Sequence, residues 1–554
     1  MRNVSVFLSY AAAAALGLFQ TFRPTWLSGF AVVQTERGDG MLNHYILEHT
    51  WQALVNPNYV GSLFSPPCFY PEPATLWYSE HMLGVAPVYW CLRLFLSAET
   101  SYQLWQIILN ALNFVAFALV LRWLRSPHLL AILGGYLWAF GLVHIDQVKH
   151  QQMIPRFWVP LALYHAGLLV LALRAWPEPA GPSERRPRPL RHTGGLLLAV
   201  FLQSVSCVYT GWFLSMGLAT FLPLALLLSP GSIRGLFRFV WAEGRRLGLL
   251  IGVWAVMMAA AFVPYLVVNR DMSRSYEECL DQIPTISAWF TGPPGTMWEQ
   301  TTAPWRSAVK EECRLFCGFG AYLLAVTAAG GLLLGRLRSY FPPEYALATA
   351  ALLTAAVWLA LTLALEPTPA RSLWEYVRHL PGGKAIRCVS RVYITVYGFG
   401  SLGVLVWLSR ATERLRPAVR SVVLAAVTAV CVVEQLGYDP PGFDKADFYS
   451  IARRVAAELR AGDAGYVVPR YTDTKGEVLK VLCGEVLAMW AGLYANVPVV
   501  NGYSGRVPGG GKYPPYGVTV SDEMLRQWLS GRFRGRLVIV TPDDPAATRV
   551  VFVD

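Results

Sequence analysis

Between Gln34 and Trp51 the sequence reads QTERGDGMLNHYILEHTW, which sets Glu36, Asp39 and Glu48 among His44 and His49. Carboxylates beside imidazoles are the side chains of general acid–base chemistry, and the glycines around Asp39 would let a substrate approach the backbone closely. Asp39 reads in two ways: as a base that takes the proton of an acceptor hydroxyl, or as the cap of a helix beginning at Gly40. Further along, FYPEPATLWYSEHMLG (69–84) adds Glu80 and His81, and GLVHIDQVKHQQMIPRFWVP (141–160) adds His144, Asp146, Gln147, His150 and Arg156. His144 and Gln147 stand about one helical turn apart, as do Asp146 and His150, so either pair could face a common cleft. The third group is cationic. In GGKAIRCVSRVYI (382–394), Lys384, Arg387 and Arg391 recur every three or four residues, the spacing of one helix face. Such a face suits a lipid-linked phosphate held by guanidinium forks, and equally a phospholipid contact or an ion pair with an acidic loop.

These residues need a scaffold, and composition names its kind. Hydrophobic residues make up 54% of the chain and charged residues 15%, with the apolar excess gathered into long runs, which excludes an ordinary soluble protein. Runs long enough to span a bilayer, about 17 to 25 residues each, fall near 5–22, 103–122, 128–145, 157–174, 193–210, 212–229, 247–268, 317–334, 344–365, 391–409 and 420–437. The expectation is a mainly α, polytopic membrane domain of about eleven spans over residues 1–437. The net charge of +12 comes largely from arginines in the short gaps between runs, as the positive-inside rule requires, and so reports topology and excludes nucleic acid as the partner. With the N-terminus in the cytoplasm and residues 1–22 as an uncleaved anchor, 23–102 and 269–316 become large outer loops. The Pro- and Arg-rich linker 176–192 lies inside. Within the first outer loop, residues 81–97 are read as an interfacial helix, with Arg93 snorkelling and Tyr89 and Trp90 at headgroup depth. The pair 193–229 turns at VYTGW. Nine cysteines show no metal-ligand spacing, and Cys279 and Cys313, in one outer loop, are candidates for a disulfide.

Beyond the last run the pattern changes. FYSIARRVAAELRAG and VLCGEVLAMWAGLY read as helices, and AGYVVP, RLVIV and TRVVFV as strands, so 438–554 is expected to form a small extracytoplasmic α/β domain.

GDGMLNHYILEHTW, FYPEPATLWYSEHMLGVAP, HIDQVKHQQ followed by WVPLAL, and NVPVVNGYSGRVP together resemble a group of bacterial polytopic proteins of the GT-C glycosyltransferase class, chiefly over the first 165 residues or so. The resemblance implies transfer of a sugar from a polyprenyl-phosphate donor to an envelope acceptor at the outer face of the bacterial cytoplasmic membrane. It implies Asp39 as the acidic residue of the first outer loop that serves the acceptor; joined to the spacing reading above, Lys384, Arg387 and Arg391 would hold the donor phosphate. Glu36, Glu80, His81, His144 and Gln147 would line the sugar site, with Asn501, Tyr503 and Ser504 toward the acceptor. Many members carry two adjacent acids or a DxD here. This chain has Glu36-Arg37-Gly38-Asp39, which names no cofactor outright and leaves only a divalent metal to be tested. A transporter or lipid flippase, or an envelope assembly protein without catalysis, is the alternative; a transporter calls for ionisable residues deep in mid-span, whereas these clusters lie at helix mouths.

Overall fold

The computed structural model describes residues 2–176, 188–271, 274–337, 343–365, 371–470, 480–509, 513–516 and 520–554. Most of the linker 176–192 lies outside the described residues. Helices occupy each of the eleven expected spans: Arg2–Thr21, Ala98–Trp123, His128–Phe140 with Leu142–Ile145, Trp158–Arg174, Pro189–Ser206, Val208–Leu228, Ser232–Val268, Phe319–Leu337, Pro343–Thr362, Tyr393–Ala411 and Pro417–Val433. Among the described residues, eight helical stretches are long and apolar enough to cross a membrane, and Phe319–Gly335 and Pro417–Val433 are apolar but shorter. The chain is a mainly helical, multi-pass membrane protein with a small α/β region at its C-terminal end.

Several boundaries differ from expectation for identifiable reasons. The turn expected at VYTGW falls earlier, at Cys207, whose extended backbone (φ −156°, ψ 117°) separates the two helices. The carboxylate of Glu80 fixes that break, because the N–H groups of Val208 and Tyr209 donate to it at 2.6 and 3.3 Å and so lose their orphan status at the helix start. The span expected at 247–268 is the end of a 37-residue helix, Ser232–Val268, so Arg234, Arg238, Arg245 and Arg246 ride on helix rather than on a loop. Residues 81–97 give a helix of only eight residues, Ala86–Arg93. Its Arg93 does not snorkel: Nε and Nη2 donate to Glu48 at 2.8 and 3.1 Å. Tyr89 is buried with its hydroxyl on Glu48, and half-buried Trp90 donates to Thr50. Cys279 and Cys313 are free, buried thiols with separate partners, the first on the Ser275 and Ile386 carbonyls and the second on the Asp281 carbonyl and the Gln282 side chain.

The C-terminal region forms the elements its periodicity indicates. Helix Lys445–Leu459 begins at an Asp444 cap that accepts from Ala446 N–H, and strand β3 (Ala464–Val467) pairs in parallel with β4 (Gly535–Val540), which pairs antiparallel with β5 (Arg549–Val553). Helix Val481–Ala495 is buried from Gly484 to Leu493, a stretch apolar except for Glu485, whose carboxylate accepts from Asn501. It is buried against the segment that follows the first helix. Met41 and Tyr45 of helix Asp39–Val55, Tyr449 and Trp490 share one core cluster, and the Trp490 indole donates to the Met41 carbonyl at 3.1 Å. A short antiparallel pair adds a second tie: β1 (Val32–Val33) runs beside β2 (Phe443–Asp444) just ahead of Asp39. Truncating a fully buried Trp such as Trp490 costs about 3–5 kcal/mol.

One buried cation shapes the segment that reaches toward this region. Arg156 is enclosed, and its guanidinium donates to the carbonyls of Trp138, Ala139, Met153 and Ile154. Those bonds pin the irregular turn between helix His128–Phe140 and helix Trp158–Arg174, and with it His150.

Candidate functional site

Asp39 is the first residue of helix Asp39–Val55, and the cap position, Gly38, makes no side-chain cap bond. The helix therefore starts one residue earlier than the capping alternative requires. Glu36 takes that part, accepting from Asp39 N–H at 3.3 Å. Behind it the chain folds tightly: a Cβ on Gly40 would stand 1.7 Å from Thr35 Oγ1, so only glycine allows this approach. The Asp39 carboxylate is left to face outward, 29% exposed, at a helix N-terminus that favours its negative charge.

Two side chains from distant segments meet it. The Tyr503 hydroxyl donates to Oδ1 at 2.6 Å, and His150 Nδ1 lies 3.2 Å from Oδ2, bent away from hydrogen-bond alignment. On the other side of the imidazole, Nε2 is 3.6 Å from Glu312 Oε1. Glu312 is fixed through its backbone, whose carbonyl accepts from Gln147 Nε2 at 3.3 Å and from Ser390 Oγ at 2.9 Å, while Cys388 Sγ stands 3.4 Å from its carboxylate. Ser390 precedes Arg391. The Arg391 guanidinium lies 4.3 Å above the Tyr209 ring and is buried, with Nε lacking a hydrogen-bond partner among the described residues. A buried guanidinium N–H without an acceptor is costly, and a bound anion would remove that cost.

The charges are coupled. Burial alone would raise the Asp39 pKa, but its contact with His150, the Tyr503 hydroxyl and the Arg391 charge together hold it below the usual carboxylate value. Burial would lower that of His150, yet Asp39 and Glu312 outweigh it and bring it up to about 8. Glu312 is likewise depressed, burial being overcome by His150 and by Arg391. Glu36 moves upward through burial and the neighbouring Asp39 charge. At neutral pH the cleft thus holds ionised Asp39 and Glu312 facing protonated His150 and Arg391.

The other expected site residues divide. Gln147 joins the cleft through Glu312. His144 packs against Trp138 and Tyr393 with ring centroids 5.1 and 5.3 Å away. Neither helical-turn pair forms a shared face, because a 3-10 turn over Asp146–Lys149 sends Asp146 to the Tyr438 hydroxyl, at 2.8 Å, and His150 to Asp39. Glu80 caps the helix beginning at Val208, and the Arg391 charge reaches it. His81 is buried against Trp77 and Tyr265 and takes the Leu83 N–H on Nδ1; burial lowers its pKa to about 4 and keeps it neutral. Lys384, Arg387 and Arg391 do not share a helix face. Gly382, at φ 78°, opens a turn, Gly383–Ala385 and Val389–Val392 are separate 3-10 segments, and Lys384 and Arg387 are exposed while Arg391 is buried. Asn501 is wholly buried and braces β3, exchanging bonds with the Val467 N–H and carbonyl and donating to Glu485, so it does not face the cleft. Ser504 is half-buried. Sequence reasoning named His150 only as half of a pair with Asp146 that could face a cleft and gave Glu312 no role; the signal available for the latter was the acidic pair Glu311-Glu312.

Among the described residues no three His, Cys, Asp or Glu side chains are placed to hold a metal ion, and Asp39 already faces a cation and a hydroxyl donor, so the site does not fit a divalent metal.

No protein-family profile and no curated protein matches the chain. Solved structures do. The archaeal oligosaccharyltransferase AglB from Archaeoglobus fulgidus, in complex with an inhibitory peptide and a dolichol-phosphate, aligns over 89% of this chain and 64% of that one, at 11% identity and a TM-score of 0.44. The apo oligosaccharyltransferase of Archaeoglobus fulgidus aligns over 90% and 64%, at 12% identity and a TM-score of 0.48. The form tethered by a disulfide to an acceptor peptide containing the NVT sequon aligns over 89% and 63%, at 11% identity and 0.38. This chain spans less than two thirds of the length of the structures it resembles.

Proposed function

We propose that the chain is a GT-C-type membrane glycosyltransferase that moves a sugar from a polyprenyl-phosphate donor to an acceptor hydroxyl, at the outer face of a bacterial cytoplasmic membrane. In this reading residues 1–437 form the transmembrane domain and 438–554 the extracytoplasmic one. The observation that carries it is the meeting of Asp39 and Arg391, from opposite ends of the membrane region, around His150 and Glu312. A helix cap and a phospholipid contact have no reason to share a cleft.

The acceptor oxygen attacks the anomeric carbon, its proton passes to Asp39 Oδ2, and the bond from the anomeric carbon to the donor phosphate oxygen breaks. The departing phosphate carries the displaced electron pair, and Arg391, whose Nε lacks an acceptor among the described residues, would hold it. Asp39 is a weak base because its pKa is depressed, so it takes the proton late, once the attacking oxygen has gained positive character. Tyr503 and His150 fix the carboxylate's rotation, and exposed Lys384 and Arg387 guide the anionic donor to the mouth.

The test is transfer from a synthetic polyprenyl-phosphate sugar in proteoliposomes. Asp39→Asn preserves size, so turnover is expected to fall by about 10²–10⁴ with donor binding retained, the usual range for a lost general base. Full activity in that variant would overturn the proposal.

A further inference from the structure

A second cavity lies at the other end of helix Asp39–Val55. It is an open hollow of about 410 Å³ between the C-terminal half of that helix, the Ser97–Glu99 entry to helix Ala98–Trp123, and the C-terminal helices that bring Arg453 and Tyr494. Glu48 stands nine residues beyond Asp39, about 13 Å along the axis at 1.5 Å per residue, so this cavity is not the cleft described above. Its volume is within the range of small-molecule sites, roughly 300–1,000 Å³.

Its chemistry specifies the class of ligand. The charged lining residues cancel: Glu48 with Arg93, and Glu99 with Arg453. An anion would need surplus cations and a metal would need surplus carboxylates, and neither is present in this lining. The neutral groups are asymmetric in a useful way. Gln52 uses its amide N–H on Glu48 and Asn56 uses its carbonyl on Asn58 N–H. Among the described residues the Gln52 side-chain carbonyl and the Asn56 amide N–H groups keep free capacity, and Asn56, the C-cap, stands one turn beyond Gln52 with its backbone N–H on the Gln52 backbone carbonyl. A vicinal diol can donate to that side-chain carbonyl and accept from that amide. The Tyr494 ring, with Arg453 5.1 Å above it, adds an aromatic wall. We propose that this cavity binds a neutral saccharide, separately from the Asp39 cleft.

The experiment is capture of labelled, detergent-solubilised full-length protein on an array of neutral hexose and hexosamine oligosaccharides, with phosphorylated and sulfated counterparts alongside. Wild type and Asp39→Asn are expected to retain neutral glycans equally, and the Gln52 and Asn56 substitutions, which leave the Asp39 cleft untouched, separate this site from the proposed catalytic one. Gln52→Leu with Asn56→Leu is expected to weaken capture about tenfold or more, one decade per 1.4 kcal/mol of lost binding. Should the double variant fail to show the wild-type thermal transition, Gln52→Leu alone gives the reading. Absence of neutral-glycan capture by wild type, capture undiminished by the substitutions, or capture of anionic glycans only would each overturn the proposal.

Discussion

Helix Asp39–Val55 carries two carboxylates that are held in opposite ways. Glu48 accepts from the Tyr89 hydroxyl at 2.6 Å, from Arg93 twice, and from Gln52 at 2.8 Å, so its lone pairs are filled and its charge is neutralised inside the protein. Asp39 has a single well-formed hydrogen bond, from Tyr503, and a bent contact with His150, and it remains partly open. Saturation ties Glu48 to stability. Incomplete saturation leaves Asp39 able to take a proton, which a carboxylate with every lone pair occupied does poorly.

Paired substitutions sharpen that contrast. Asp39→Asn is expected to lower turnover by the 10²–10⁴ given above while leaving the thermal unfolding curve near wild type. Glu48→Gln should do the reverse, because Arg93 keeps its charge without a counterion; removing one partner of a buried pair costs about 3–5 kcal/mol, read by thermal or denaturant unfolding. A fall in turnover of Glu48→Gln without lost stability would break the comparison. Next in size, Arg391→Lys keeps the charge but loses the fork, and donor binding is expected to weaken about tenfold or more, by the 1.5–3 kcal/mol of a hydrogen bond to a charged group. Tyr503→Phe removes one hydrogen bond to Asp39, expected to cost about 1 kcal/mol of positioning and to appear as a several-fold drop in kcat.

The smallest effect is in pH. His150 is raised above its unfolded value, so its contribution to stability is fully present below about 6.5 and is lost as pH rises through about 8. Asp39 and Glu312 are depressed, so theirs is present above their unfolded values near 4 and is lost as pH falls through the folded ones. Wild-type turnover should decline above about pH 8, where neutral His150 leaves the two carboxylates facing each other, and His150→Gln should abolish that limb.

The long helices were legible in the sequence because apolar length alone decides them, and the C-terminal strands because alternation does. Asp39 and Arg391 were legible as charges at helix mouths. The supposed cationic face was not a face, since extended backbone at Ile386 and a turn at Cys388 break, between Lys384 and Arg391, the helix that the spacing assumed. His150 was paired with the wrong carboxylate and Glu312 escaped assignment because short 3-10 segments carry or precede them, and no repeat predicts which way such segments point. Asn501 reads as an exposed loop amide but is buried, because an amide can stand in for a strand neighbour's backbone.

The bond from Tyr503 to Asp39 joins positions 464 residues apart. During synthesis the ribosome must pass residue 503 before Asp39 acquires this partner, so each growing chain inserts its helices with an unfinished site. Contacts of such long sequence separation form late, after the loop-closure entropy has been overcome, which makes completion of the cleft one of the last events of folding. A nascent or C-terminally clipped chain is then expected to sit in the membrane with its helices formed and its catalysis impaired, a delay in activation set by chain order alone.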